Sequence, residues 1–123
     1  MGGGDGRQVL SNAERFDPAV AAWEPMPSMS QSRWGAMAGV IGGRIYVCGG
    51  GNGQEVLSSA ERFCSTEKTW ELLPAMSQCR WGGTAAVAVG QLYVCGGKDS
   101  GLSRHGQQAS NTAERFNPAT MEW

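Results

Sequence analysis

The chain has 123 residues, a length within the usual range of a single domain. Its formal net charge is −1 with acids and bases nearly balanced, which excludes a strong basic field for nucleic acid or an anionic membrane. A glycine count of 19 and only 17% charged residues are typical of short strands joined by tight turns, so the composition predicts an all-β fold.

No segment of the sequence predicts a membrane span or a secretion signal. The apolar runs fall short of the roughly 18 residues that cross a bilayer, and no basic segment followed by an apolar core lies at the N-terminus. We expect a soluble chain whose partner is neither a membrane nor a nucleic acid.

The first part of the chain contains signals for two strands. The Asp-Gly pair at 5–6 is a strong turn dipeptide, and it precedes the sequence Ala-Glu-Arg-Phe at 13–16. The Asp-Pro pair at 17–18 predicts a second turn, after which another strand opens at Trp23.

The middle of the chain contains signals for four strands. A small, apolar strand at 34–40 turns through two glycines into Arg44–Cys48, which ends at a Gly-Gly pair. A second Ala-Glu-Arg-Phe at 60–63 predicts the third strand, and the fourth opens at Trp70.

The last part repeats this order, with strands predicted at 81–87 and Gln91–Cys95. An insertion near 98–108 lengthens the loop that follows, and the register then resumes at a third Ala-Glu-Arg-Phe, at 113–116. Trp123 stands where the fourth strand opens.

These three parts are copies of one repeat. Residues 13–50 and 60–97 align without a gap and are identical at more than half of their positions. Each period-matched Trp lies seven residues after the Phe of its copy. Four antiparallel strands in a repeat of about 50 residues predict a β-propeller blade.

Several short patterns recur together in the copies. They are Gly-Gly after Tyr-Val-Cys, Glu-Arg-Phe-x-Pro, the Trp seven residues after the Phe, and Pro-x-Met-x-x-x-Arg-Trp-Gly. Together they resemble the kelch motif, and the resemblance covers essentially all of the chain. It implies an all-β, kelch-type β-propeller fold with blades of four antiparallel strands.

The copies divide the chain into a half blade at 1–28, a full blade at 29–75 and a full blade at 76–123. Closed propellers need roughly four to eight blades. We therefore expect a partial propeller, either a fragment or one part of a ring that other chains complete. Its open blade faces and strand edges predict self-association.

The cysteines predict neither disulfides nor a metal site. Cys48 and Cys95 occupy equivalent strand positions, too far apart for a bond that needs Cα atoms within about 7 Å, and Cys64 and Cys79 stand alone. We expect four free thiols, with the first two buried, and hence a reducing, intracellular and cytoplasmic setting. One His and no Cys-x-x-Cys pair predict no metal or cofactor.

Six aromatic residues repeat with the period and predict packing within each blade. They are Phe16, Phe63, Phe116, Trp23, Trp70 and Trp123. The Glu-Arg pair that precedes each Phe predicts a polar contact repeated blade by blade.

Two arginines, Arg33 and Arg80, stand where each first strand begins, on the rim that also carries the loops between strands two and three. The resemblance to kelch substrate receptors implies that an Arg at this position binds an acidic side chain of a bound peptide. The planar guanidinium suits this role because it can donate two parallel hydrogen bonds to one carboxylate. The alternative is that both are structural arginines whose donors are satisfied by backbone carbonyls.

The rim loops differ among the copies while the framework does not, and variable loops on a rigid scaffold are where recognition usually resides. The candidate contact residues in these loops are Arg7, Gln8, Gln54, Glu55, Arg104, His105 and Gln107.

The resemblance implies a non-catalytic protein-interaction module that takes a protein or an acidic peptide. One setting that it implies is substrate recognition for a cullin ubiquitin ligase in a BTB–kelch adaptor. The alternatives are a propeller enzyme, either copper oxidase-like or sugar mutarotase-like, and an actin-associated scaffold. Tyr46 and Tyr93, the two tyrosines that a copper site would draw on, lie mid-strand and indicate packing.

Overall fold

A computed structural model describes residues 1–99 and 108–123. The described residues form strands and turns without a helix, as the composition predicts. Consequently, they include no helix that is long and apolar enough to cross a membrane. The strands are β1 (Ala13–Asp17), β2 (Ala22–Met26), β3 (Met37–Ile41), β4 (Arg44–Cys48), β5 (Ala60–Cys64), β6 (Thr69–Leu73), β7 (Thr84–Ala88), β8 (Gln91–Cys95) and β9 (Ala113–Phe116).

The strands form three antiparallel sheets, one from each copy of the repeat. The middle sheet has the order β3-β4-β5-β6, the up-and-down arrangement expected of a blade. The first sheet contains β1 and β2, and the third contains β7, β8 and β9. An isolated bridge between Asn117 and Glu122 lies where the third sheet would take its fourth strand. The prediction of partial kelch-type blades is therefore confirmed.

The predicted second strands, Arg44–Cys48 and Gln91–Cys95, have the predicted bounds. The hairpin that enters β8 turns at Val89 and Gly90, which both have positive φ angles, as a tight type I′ turn requires. The first strands begin three residues later than predicted. Gly35 and Gly82, with φ angles of 65° and 66°, turn the backbone out of the extended conformation before β3 and β7 begin.

The second and third sheets stack face to face. We call the face of each sheet that carries the Phe of Ala-Glu-Arg-Phe its leading face, and the opposite face its trailing face. The trailing face of the second sheet packs on the leading face of the third, where the ring centroids of Tyr46 and Phe116 lie 6.1 Å apart. A Cβ added to Gly39 would approach Leu92 Cδ1 to 2.6 Å. Side chains from both sheets therefore form one core cluster.

In the second and third copies, one tryptophan side chain joins the blade to the link that precedes it. The indole N–H of Trp70 donates to the carbonyl of Pro27 at 2.8 Å, and that of Trp123 donates to Pro74 at 2.6 Å. The predicted packing role of the aromatic residues is therefore seen in the second and third sheets. In the first sheet, by contrast, Trp23 is 67% exposed.

The four cysteines are free thiols, as predicted. Cys48 is buried on the trailing face of the second sheet, and burial raises the pKa of its thiol to about 12. The prediction that Cys95 is also buried is wrong, because it lies on the trailing face of the third sheet, which no further sheet of the described residues covers.

Candidate functional site

Arg33 lies inside the molecule rather than in an open channel mouth. Its side chain is 1% exposed, and Nε and Nη2 donate to Glu61 Oε2 at 3.1 and 2.9 Å. Nη1 donates to the carbonyls of Gly49 and Ser59 at 2.8 and 3.1 Å. Each donor group of the guanidinium is therefore occupied by the protein itself.

Arg80 repeats this network one blade later. Its Nε and Nη2 donate to Glu114 Oε2, and its Nη1 donates to the carbonyls of Gly96 and Thr112 at 2.8 and 3.0 Å. Burial tends to raise the pKa of Glu114, but hydrogen bonds from Ser77 and the ion pair with Arg80 outweigh it and lower that pKa. The acid of Ala-Glu-Arg-Phe is thus the partner of each buried arginine.

These networks correct the expectation that Arg33 and Arg80 bind an acidic peptide. Neither side chain reaches solvent, so neither can meet a ligand on this rim without breaking an ion pair inside the protein. Both arginines instead follow the structural alternative. They connect the link before each first strand to the end of the second strand and to the third strand of the same blade.

The rim loops of the first two copies adopt the same turn. The Asp5 carboxylate accepts hydrogen bonds from the backbone N–H groups of Arg7 and Gln8, both at 2.9 Å. Asn52 Oδ1 accepts the equivalent pair from Gln54 and Glu55, again at 2.9 Å. Hydrogen bonds from Gln8 and Arg7 lower the pKa of Asp5. Each loop is therefore an Asx-type turn, and the side chains of its two donor residues are exposed.

The two loops stand side by side and flank an open surface pocket of about 590 Å³, which we call the rim pocket. Trp34, 44% exposed, contributes the only aromatic side chain among its described lining residues. Backbone hydrogen bonds between Trp34 and Gly51 fix this residue beside the second loop. The lining residues are Gly4, Gly6, Arg7, Gln8, Val9, Trp34, Asn52, Gly53 and Gln54.

Trp34 begins an aromatic row along the same rim. Its ring centroid lies 4.8 Å from that of Trp81, at an interplanar angle of 47°. The Lys98 ammonium lies 5.3 Å from the centroid of the Trp81 ring, within the range of a cation–π contact. The row extends the apolar and cationic character of the rim from the second copy into the third.

The rim pocket unites three of the loop residues that sequence analysis identified, namely Arg7, Gln8 and Gln54. Glu55 lies apart from them, in a separate pocket of about 250 Å³ that also contains Gln31. Arg104, His105 and Gln107 lie outside the described residues. Trp34 was not among the predicted site residues. Its recurrence as Trp81, at a second position in the repeat separate from the period-matched tryptophans, was a signal that could have identified it.

The chemistry of the rim pocket suits recognition. It offers one aromatic face, three side-chain amides and one exposed guanidinium, that of Arg7. Among residues 1–99 and 108–123, no group of three His, Cys, Asp or Glu side chains could hold a metal ion. The described lining residues include no His, Cys, Ser, Asp or Glu that would act as a nucleophile or a general base.

Comparison with known families agrees with the arrangement of the sheets. A search of curated proteins gave no match. The Kelch motif matches residues 1–30, 35–77 and 81–123, so three matches account for nearly all of the chain. The chain therefore belongs to the kelch-repeat family.

Proposed function

We propose that this chain is a non-catalytic protein-interaction module whose rim pocket receives a segment of a partner protein. Kelch repeats form β-propellers that commonly bind other proteins. The observation that carries the proposal is the convergence of two variable loops and the exposed Trp34 on one pocket. Partly exposed aromatic residues in pockets are the usual anchors of protein interfaces.

The pocket favours an acidic segment that also carries an apolar or aromatic side chain. Trp34 would stack against the apolar side chain, while the exposed guanidinium of Arg7 would pair with a carboxylate. Gln8 and Gln54 supply amides that both donate and accept, as an extended peptide backbone requires. Arg7 thus takes the role that sequence analysis gave to Arg33 and Arg80.

We further propose that the bound segment belongs to a substrate of a cullin ubiquitin ligase, the setting that the resemblance to BTB–kelch adaptors implies. Such a module would work inside the cell, where reducing conditions keep thiols free. The four unpaired cysteines support this intracellular, cytoplasmic placement.

Selection from a displayed random peptide library tests the proposed site. Peptides selected on the chain should be enriched in Asp or Glu beside an aromatic residue. Trp34→Ala should weaken binding of a selected peptide at least about tenfold, because an anchoring aromatic residue typically contributes about 2 kcal/mol or more and about 1.4 kcal/mol is a factor of ten. Arg7→Ala should weaken it less, and more strongly at low salt, since its contribution is electrostatic.

Matched substitutions away from the rim pocket provide the controls. Leu72→Ala removes another exposed apolar side chain, and Arg44→Ala removes another exposed arginine. Both should leave peptide affinity unchanged. Selected peptides that bind Trp34→Ala and Arg7→Ala as tightly as the parent chain would contradict the assignment of this pocket.

A further inference from the structure

The two tryptophans of the rim have different partners at one equivalent position of the repeat. Trp34 exchanges two backbone hydrogen bonds with Gly51, at 2.9 and 2.8 Å, and Trp81 exchanges the same two with Lys98, at 3.0 and 2.9 Å. Both pairs are antiparallel β-bridges, and we call the position of Gly51 and Lys98 the bridge position. The backbone arrangement is therefore the same in the two copies, and the side chain at the bridge position differs.

The side chain at the bridge position lies on the same side of the ladder as the indole opposite it. Residues that face each other across an antiparallel pair have Cβ atoms only about 4.5–5.5 Å apart and project to one face. In the third copy, the Lys98 ammonium accordingly lies 5.3 Å from the centroid of the Trp81 ring. A side chain of the protein itself therefore covers one face of Trp81.

Gly51 supplies no side chain to cover Trp34 in the same way. Trp34 is 44% exposed, and the rim pocket lies against it, beside the two residues that follow Gly51 in the chain. The bridged backbone does not itself require glycine, since Lys98 occupies the equivalent bridge. The glycine at residue 51 therefore matters for the pocket rather than for the turn.

A lysine at the bridge position competes with a bound segment for the ring. Its ammonium is attracted to the face of the tryptophan and is already tethered to the protein, so it covers the ring without the entropic cost of association. A partner must displace Lys98 before it stacks on this face of Trp81. The equivalent face of Trp34 has no tethered side chain to displace.

We propose that Gly51 is a specificity-determining residue, which leaves Trp34 open to the bound segment while Lys98 covers Trp81 from within the chain. This inference rests on the proposed function, because it explains why one tryptophan of the rim, and not the other, anchors the partner. It predicts that exchanging the residue at the bridge position changes which ring is accessible.

The substitution Gly51→Lys tests the proposal through the affinity for a selected peptide. The affinity should fall about two- to fivefold, the factor that corresponds to one exposed cation–π contact that the peptide must displace. The direction is diagnostic, because the proposed segment is acidic and an added positive charge that left Trp34 open would strengthen binding. Val89→Lys adds the same charge at a side chain that is 96% exposed in a remote hairpin turn, and it should leave the affinity unchanged.

Hydroxyl-radical footprinting without peptide measures the covering of the rings directly. Cleavage after Arg33 and Arg80 places Trp34 and Trp81 in separate peptides, so mass spectrometry can follow the oxidation of each. Gly51→Lys should slow the oxidation of Trp34, and Lys98→Ala should accelerate that of Trp81. If circular dichroism shows that Gly51→Lys is unfolded, Lys98→Ala decides the test alone.

The two measurements distinguish failure of this inference from failure of the proposed function. Oxidation of Trp34 that stays constant or accelerates in Gly51→Lys would overturn the inference, and so would unchanged oxidation of Trp81 in Lys98→Ala. Tighter peptide binding together with unchanged oxidation of Trp34 would overturn it while leaving the proposed function intact. Slower oxidation of Trp34 with unchanged affinity would contradict the proposed function, and with it the role of Gly51 in specificity.

Discussion

Phe116→Ala should lower the free energy of unfolding by about 3–5 kcal/mol, the usual cost of removing a large buried aromatic side chain. Phe116 is fully buried in the core cluster, where its ring contacts Tyr46 across the sheet interface and Trp123 within its own copy. Alanine would leave a cavity that two stacked sheets cannot close without separating from their remaining contacts.

Phe16→Ala is the matched substitution, at the same position of the repeat in the first sheet. Because Phe16 is about half exposed, its loss should cost only about 1 kcal/mol or less. Urea unfolding of both variants at a protein concentration below the onset of association would measure the difference. Equal losses would mean that the leading face of the first sheet is covered in solution, contrary to the structure.

The blades were predictable because the repeat supplied information that single strands do not. Aligning the copies with one another located the hairpin turns and the bounds of Arg44–Cys48 and Gln91–Cys95. The start of each first strand was not predictable in the same way. The apolar run continues back through Trp34, and only the backbone shows that Gly35 interrupts the strand with a positive φ angle.

The candidate site was predictable as a region and less so as a set of residues. Turn chemistry places Arg7, Gln8 and Gln54 in loops on one rim, and variation between copies identifies these loops as candidates for recognition. Which side chains converge depends on how two blades stand beside each other. That is a long-range property, and for this reason Trp34 was overlooked.

The solvent exposure of Arg33 was also not predictable from the sequence. Arg33 meets Glu61, which lies 28 residues later in the chain, so its burial depends on the path of an entire blade. The arginine and the acidic residue of Ala-Glu-Arg-Phe were both recognisable in the sequence as repeated features, but their pairing was not. In the structure, the two residues form one buried hydrogen-bonded ion pair.

Removing Arg33 should therefore affect stability rather than ligand binding. Arg33→Ala should lower the free energy of unfolding by about 3–5 kcal/mol, because it leaves the Glu61 carboxylate buried without its partner. It also deprives the carbonyls of Gly49 and Ser59 of their donor. The double substitution Arg33→Met with Glu61→Leu should recover part of the loss by removing both charges together, but not the part due to those carbonyls.

Arg15→Ala provides the control, because Arg15 forms an ion pair with Glu24 in which both side chains are exposed. Its loss should cost no more than about 1 kcal/mol, as is usual for ion pairs at the surface. Urea unfolding and affinity for a selected peptide should be measured on the same samples. Arg33→Ala could instead have the same free energy of unfolding as the parent chain and a lower affinity for the peptide. That result would contradict the structural role and would identify Arg33 as a binding residue.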